Sequence, residues 1–312
     1  MRGQCRLSPE MHMATENSSS PFLAPLDVAA LQHWQRVAAA SASPWLHEEV
    51  GRRMQEKLDW IVRRPDAWCD WEPVRGGMQA HDALAARYSQ SAVWVVHEQP
   101  AHQQVARQRW QGSRWSRLWG GKPQVHWGAP PDASVDMVWA NMGLHQVADP
   151  QACMHQWAQW LRPDGFVMFS ALGPDTLKEL RALYAQQGWP PCAQDFVDMH
   201  DWGDMLLAQG FTEPIMDMEH VRLQYASAER LLQDLRAWGR NLHPARFAAL
   251  RGKGWRQRLL DGLRGLADAQ GNITVTFEII YGHAVKAPPR MKVAGQTHIS
   301  LGDMRQALKR KG

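Results

Sequence analysis

Cysteine is scarce in this chain and poorly spaced for chemistry. Its four residues, Cys5, Cys69, Cys153 and Cys192, form no C-x-x-C pair, which removes a disulfide framework and a cysteine-ligated zinc centre from consideration. Long apolar runs are missing too, since no stretch approaches the roughly 18 consecutive apolar residues that a bilayer-crossing helix needs. The opening residues, with Pro9, Glu10, His12 and Glu16, hold no apolar segment of the kind that starts an export signal. The chain therefore reads as unexported and cytoplasmic, away from membranes. Positive charge is present but thin. A net charge of +4 and a pI near 9.0, with Lys309-Arg310-Lys311 as the one dense basic run, argue against a nucleic-acid partner.

Tryptophan, by contrast, is plentiful. Its 17 residues follow no fixed period, which excludes a repeat architecture and points to buried or amphipathic rings. With 312 residues, 45% of them hydrophobic, the chain can bury a full core as one large domain with additions. Residues 1–25, rich in Ser and Pro, read as a disordered leader, 26–288 as the folded domain and 289–312 as a C-terminal tail.

The segment Pro131 to Arg181 organises the rest. Val135 to Trp139 and Phe166 to Ser170 are short apolar runs bounded by turn residues, and Pro150 to Leu161 between them repeats apolar residues at helical spacing. Strand, helix, strand with a crossover of that length implies parallel strands covered by helices. Upstream, helices are predicted over Asp27 to Ala42 and Pro44 to Val62. The second carries an apolar face of Leu46, Val50, Met54, Leu58 and Ile61. Further strands are predicted at Ala92 to Val96, near Gln124 to Trp127, over Pro214 to Tyr225 and over Ile273 to Tyr281. Asp175 is a predicted N-cap for a helix bearing Leu177, Leu180 and Leu183.

The runs DMVWANMGLH, LRPDGFVMFSALGPDTLKELR and DFVDMHDWGDMLLAQGFTEPIMDME resemble the malonyl-acyl-carrier-protein O-methyltransferases of biotin synthesis, within the class I S-adenosylmethionine (SAM) methyltransferases. The resemblance spans Leu46 to Pro288. It implies an α/β, Rossmann-like class I methyltransferase fold with a mostly parallel seven-stranded sheet, an antiparallel last strand and a helical insertion. It also implies SAM as cofactor and the free carboxylate of malonyl-acyl-carrier protein as methyl acceptor.

The same resemblance assigns site residues. Asp70 falls at the acidic position of the family's D-x-G-x-G-x-G turn, where Glu72 and Pro73 displace glycine character and Gly76 and Gly77 remain. Glu98, or His97 beside it, falls at the end of the second strand, where this fold uses an acid for the ribose hydroxyls. The third strand runs into Gly128-Ala129-Pro130-Pro131 with no acid before Asp132. After the fourth strand, Asn141 is placed to bind the cofactor and His145 to face the substrate. Residues 227–269 form a basic helical insertion, with nine Lys and Arg against Glu229, Asp234, Asp261 and Asp268. That surface suits docking of an acidic acyl-carrier protein, and Arg236 or Arg240 is placed to hold a substrate carboxylate. A carboxylate nucleophile needs no general base, so no catalytic acid or base and no metal is assigned. A reading of a different class stands beside this one: a non-catalytic protein of the same fold that keeps a partner surface but has lost SAM binding through the altered turn.

Overall fold

A computed structural model describes residues 25–37, 42–111 and 124–288. The predicted leader up to residue 24, the tail from 289, Cys5 and the Lys309-Arg310-Lys311 run lie outside them. Seven strands form one sheet: β1 (Ala67–Trp71), β2 (Ala92–Val96), β3 (Val125–Trp127), β4 (Val135–Ala140), β5 (Leu161–Leu172), β6 (Phe211–Tyr225) and β7 (Ile273–Lys286). Their spatial order is β3-β2-β1-β4-β5-β7-β6. β1 pairs in parallel with β2 and β4, β2 with β3, and β4 with β5, while β7 runs antiparallel to both β5 and β6. This is the class I methyltransferase sheet implied by the sequence.

The central strands are apolar throughout because both faces are covered. All five residues of β1 are buried, and their side chains alternate between two core layers. Trp68, Met137, Trp139, Phe166 and Met168 face one layer. Cys69, Val138, Val167 and Phe169 face the other, against Trp157 and Trp202. The apolar stripe of helix α2 (Trp45–Lys57), with Leu46, Val50 and Met54, packs into the first layer. Helix α1 (Val28–Val37) precedes it.

Several boundaries differ from the sequence reading: β6 begins at Phe211, β7 runs on to Lys286 and α2 ends at Lys57. β5 begins at Leu161, because Leu161 already pairs with Val135 before the ladder shifts register and resumes at Phe166. Asp175 does not cap the following helix, Lys178–Gln186. The residue before that helix is Leu177, with φ 61° and no side-chain cap. The Asp175 amide instead donates to Glu278 Oε2 at 2.6 Å, and its carboxylate meets Lys178 Nζ at 2.9 Å.

The chain leaves β1 toward β2 and β3 on one side and returns to β4 on the other. That reversal opens a crevice at the carboxyl ends of β1 and β4, where open α/β sheets bind ligands.

Candidate active site at the sheet's carboxyl edge

The turn after β1 keeps a glycine-like shape without the glycine. Glu72 holds φ 59° and ψ 43°, a left-handed conformation that costs a non-glycine residue on the order of 1 kcal/mol. Pro73 then starts a short helix, Pro73–Gly76, at a position where its missing N–H removes no helical bond. Gly76 N donates to Glu72 O at 2.8 Å. The Glu72 side chain turns to the tip of β2, where Oε1 accepts the Glu98 N–H at 2.6 Å. Its Oε2 lies 3.1 Å from His97 Nδ1 and 3.4 Å from His102 Nδ1. Burial raises this carboxyl, but the two imidazoles and the Glu98 amide outweigh it and hold the group near 2.

Gly77, at φ 146°, leads into helix α4 (Met78–Arg87), α3 being Pro73–Gly76. The amino end of α4 is capped from within the chain. Ser43 Oγ accepts Met78 N at 2.8 Å, and the Glu48 carboxylate accepts Gln79 N and Ala80 N at 3.1 Å. A helix amino end is a ready anion site, and here Glu48 is the anion.

Gly76 serves close packing, since a Cβ there would lie 2.8 Å from the Asn141 carbonyl oxygen. Asn141 is itself a clamp. Its Nδ2 donates to the carbonyls of His47 (2.7 Å) and Gly76, and its Oδ1 accepts Ser170 Oγ at 2.6 Å. Asp70 is buried, with Oδ2 2.8 Å from His81 Nδ1. Burial pushes its carboxyl up against the pull of His81.

Two cavities flank this framework. The first, about 590 Å³, is walled by α1, the β1 turn, Glu98, Gln99, His102 and helix α6 (Pro150–Trp160), α5 being Pro100–Trp110. Glu72, Glu98 and Asp149 make that wall acidic, and Arg75 is its one arginine or lysine among the described residues. The second, about 340 Å³, lies on the insertion side and contains His145, Arg236, Arg240 and Arg256 in a mostly apolar lining without an aspartate or glutamate. His47, Met142 and Gln146 line both cavities.

Of the five residues expected at the cofactor, Glu98 lines the first cavity, whereas Asp70, Gly76, Gly77 and Asn141 lie behind its wall. Burial, with the Glu72 charge beside it, raises the Glu98 carboxyl. The three substrate candidates, His145, Arg236 and Arg240, come together in the second cavity. Neither Arg236 nor Arg240 has an ion pair among the described residues. Arg240 stacks on Trp34, 4.4 Å from the ring centroid, with Arg75 at 5.2 Å from the same ring.

His47 was invisible to sequence reasoning. Its Nδ1 lies 2.7 Å from the Arg75 carbonyl, an acceptor only, so Nδ1 carries the proton and Nε2 is a lone pair. Burial and the Arg75 charge push His47 down to about 3, and burial does the same to His145. Both imidazoles are neutral at physiological pH.

A third cavity, about 650 Å³, shares Tyr184, Cys192, Arg240 and Asn241 with the second. It reaches the insertion, which consists of helices α9 (Ala228–Trp238) and α10 (Lys253–Arg264) with irregular chain between them. Between α6 and α9 lie α7 (Lys178–Gln186) and α8 (Met199–Ala208).

A profile described as a methyltransferase domain matches residues 76–169, beginning just past the altered turn. The malonyl-[acyl-carrier protein] O-methyltransferase of Gallionella capsiferriformans is 36% identical over 281 residues, covering 86% of this chain and 93% of that protein. The chain belongs to the malonyl-[acyl-carrier protein] O-methyltransferase family. Another family member, from Methylovorus sp., is 34% identical over 261 residues, covering 81% of this chain and 86% of its own. Among solved structures, YcgJ from Bacillus subtilis shares the fold with a TM-score of 0.51 at 14% identity, over 76% of this chain and 99% of that one.

SAM, the cofactor this family membership implies, is compatible with the first cavity. Its acidic wall suits a cationic sulfonium, and Glu98, the residue expected at the ribose hydroxyls, lines that wall with no ion pair among the described residues. Because Glu48 closes the α4 amino end, Arg75, which donates to the Ala237 and Trp238 carbonyls, is the cation of that wall that would meet the cofactor's amino-acid carboxylate. Among the described residues no helix is long and apolar enough to cross a membrane.

Proposed function

We propose that this protein transfers a methyl group from SAM to the free carboxylate of malonyl-acyl-carrier protein. The observation that carries the reading is the charge contrast between adjoining cavities: an acid-rich one beside one with three arginines and no acid. The first matches a cationic methyl donor, and the second matches an anionic acyl end.

SAM supplies an electrophilic methyl group on a positively charged sulfur. The acceptor oxygen forms the new C–O bond as the C–S bond breaks, so one negative and one positive charge disappear together and no proton is released. Such charge neutralisation is favoured where water is excluded and the effective dielectric is low. The chain's residues supply that setting. Leu180, Leu259, Trp238 and Phe277 form apolar lining of the second cavity, and Arg236 and Arg240 hold the carboxylate in orientation. The neutral His47 and His145 have no proton to accept, and they serve as polar walls at the junction.

The acyl-carrier protein docks on the insertion. Arg251, Lys253, Arg256 and Arg258 have no ion pair among the described residues, unlike Arg230, Arg246 and Arg264, which are bound to Asp234, Asp27, and Asp261 with Glu229. Arg251 packs on Phe247 and Trp255 at the mouth of the third cavity, giving the acyl arm a path inward.

The test is incubation of the full chain with SAM and malonyl-acyl-carrier protein, read by intact-protein mass spectrometry. The expected product carries one added methyl group, which hydrolysis of the ester removes. No methylation by demonstrably folded protein, together with no calorimetric heat from SAM or its demethylated product, supports the non-catalytic reading instead.

A further inference from the structure

The cluster of Glu72, His97 and His102 does more than the methyl-transfer reading asks of it. One carboxylate oxygen, Glu72 Oε2, faces two imidazole nitrogens, His97 Nδ1 at 3.1 Å and His102 Nδ1 at 3.4 Å. One potential ligand atom from each residue lies within 4.8 Å of the others. A tetrahedral zinc ion with bonds of about 2.0–2.2 Å to nitrogen and oxygen sets neighbouring ligand atoms about 3.3–3.4 Å apart, so the two measured edges have the length of a coordination polyhedron.

Burial and charge point the same way. The side chains are 0% (His97), 5% (His102) and 13% (Glu72) exposed. Both Nδ1 atoms turn toward Glu72, while the Nε2 atoms, on the far side of each ring, are buried with no protein partner. The Glu72 carboxyl group stands beside that of Glu98, whose N–H it accepts at 2.6 Å, so oxygen donors outnumber cationic side chains on this side of the turn. The residues come from three places: the turn after β1, the tip of β2 and the first turn of α5. Glu72 takes a left-handed backbone to deliver its oxygen there. Local strain kept in order to aim a polar group is the pattern of a binding site.

We infer that Glu72, His97 and His102 form a binding site for a divalent transition metal of zinc type, through one carboxylate oxygen and the two Nδ1 atoms. Two imidazoles and a carboxylate are a borderline-soft ligand set, which selects zinc, cobalt or iron over magnesium or calcium. Each histidine shifts its proton to Nε2 on binding. Glu72 and His102 line the first cavity, so the fourth position opens into it, available to water or to an oxygen of a bound ligand. The ion would staple the β1 turn to β2 and α5, supplying the rigidity that a glycine-rich turn obtains from its cofactor.

The experiment uses the full chain stripped with chelator and titrated with zinc against a competing chelator, and with cobalt followed by visible absorption. The expected result is a single ion bound with Kd below about 1 μM, and a cobalt spectrum of tetrahedral nitrogen and oxygen ligation. His97→Ala and His102→Ala should each weaken binding at least about 100-fold. Glu72→Gln, which keeps the side-chain shape, should weaken it and alter the cobalt spectrum. His200→Ala, at an exposed histidine paired with Asp198, should change nothing. Zinc should raise the melting temperature of the wild type but not of the variants. No zinc binding and no cobalt spectrum from folded wild-type protein would overturn the site, as would unchanged affinity in the histidine variants. Should an alanine variant fail to fold, Glu72→Gln and the wild-type cobalt spectrum still decide. The readout is metal binding, so the answer is independent of the methyl-transfer assay.

Discussion

Asn141→Ala separates a ligand contact from a structural clamp. Three hydrogen bonds vanish with the amide: those to the carbonyls of His47 and Gly76 and the one received from Ser170. All three lie in the core, and at about 1 kcal/mol net apiece they amount to about 3 kcal/mol. For a domain of this size that corresponds to a fall in melting temperature of roughly 6–10 °C. Urea denaturation followed by far-UV circular dichroism measures the loss, and calorimetry measures SAM binding on the same sample. The expected pattern is large destabilisation with SAM affinity changed less than about threefold at a temperature where the variant is folded, because the residue lies behind the cavity wall. Gly76→Val should act alike, through its collision with the Asn141 carbonyl, at about 1–3 kcal/mol. Destabilisation below about 1 kcal/mol combined with loss of SAM binding would instead make Asn141 a direct ligand.

Other predictions follow from the charges. Arg236→Met and Arg240→Met should each raise KM for malonyl-acyl-carrier protein by about 10- to 100-fold, the equivalent of one charged hydrogen bond, with SAM affinity unchanged by calorimetry. Because His47 and His145 are pushed down to about 3 from 6.5, the unfolded chain binds more protons than the folded one between those values. Stability is therefore full above pH 6.5 and falls with acidification toward pH 3, by at most about 2.7 kcal/mol per pH unit for the pair. Urea midpoints across pH 7 to 4 check this slope, and His47→Gln should flatten it. Charge reversal of Arg251, Lys253, Arg256 and Arg258 together should weaken acyl-carrier-protein binding, and the wild-type affinity should drop with added salt, both read by surface plasmon resonance.

Much of the scaffold was legible because periodicity survives tertiary packing in central elements. β2 falls on Ala92–Val96 as read, and the crossover helix on Pro150–Trp160. The fifth strand was read short because its first pairing, through Leu161, is separated from the main ladder by Pro163 and Asp164. Asp175 has an N-cap's chemistry but not its place, since Glu278, 103 residues away, claims its amide. The site was less readable for the same reason. Glu72 and Pro73 looked like damage to a glycine turn, whereas the structure shows the turn's shape retained and the carboxylate redirected to histidines 25 and 30 residues away. No spacing rule encodes that convergence, nor the seating of His47 between two cavities.

Helix α1 has a consequence for the order of events. Leu31, Gln32 and Gln35 face the first cavity, Ala29, Ala30 and His33 face the third, and Trp34 borders both. The helix thus separates the first cavity, which meets the second at His47, from the third, which meets the second at Tyr184, Cys192, Arg240 and Asn241. Two ligands arriving through separate doors do not queue. Steady-state kinetics should show random addition, with intersecting double-reciprocal lines and each product competing only with the substrate whose compartment it leaves. A chain shortened past Trp34 would merge the compartments and open the junction at His47 to water, turning transfer into wasteful hydrolysis of the methyl donor.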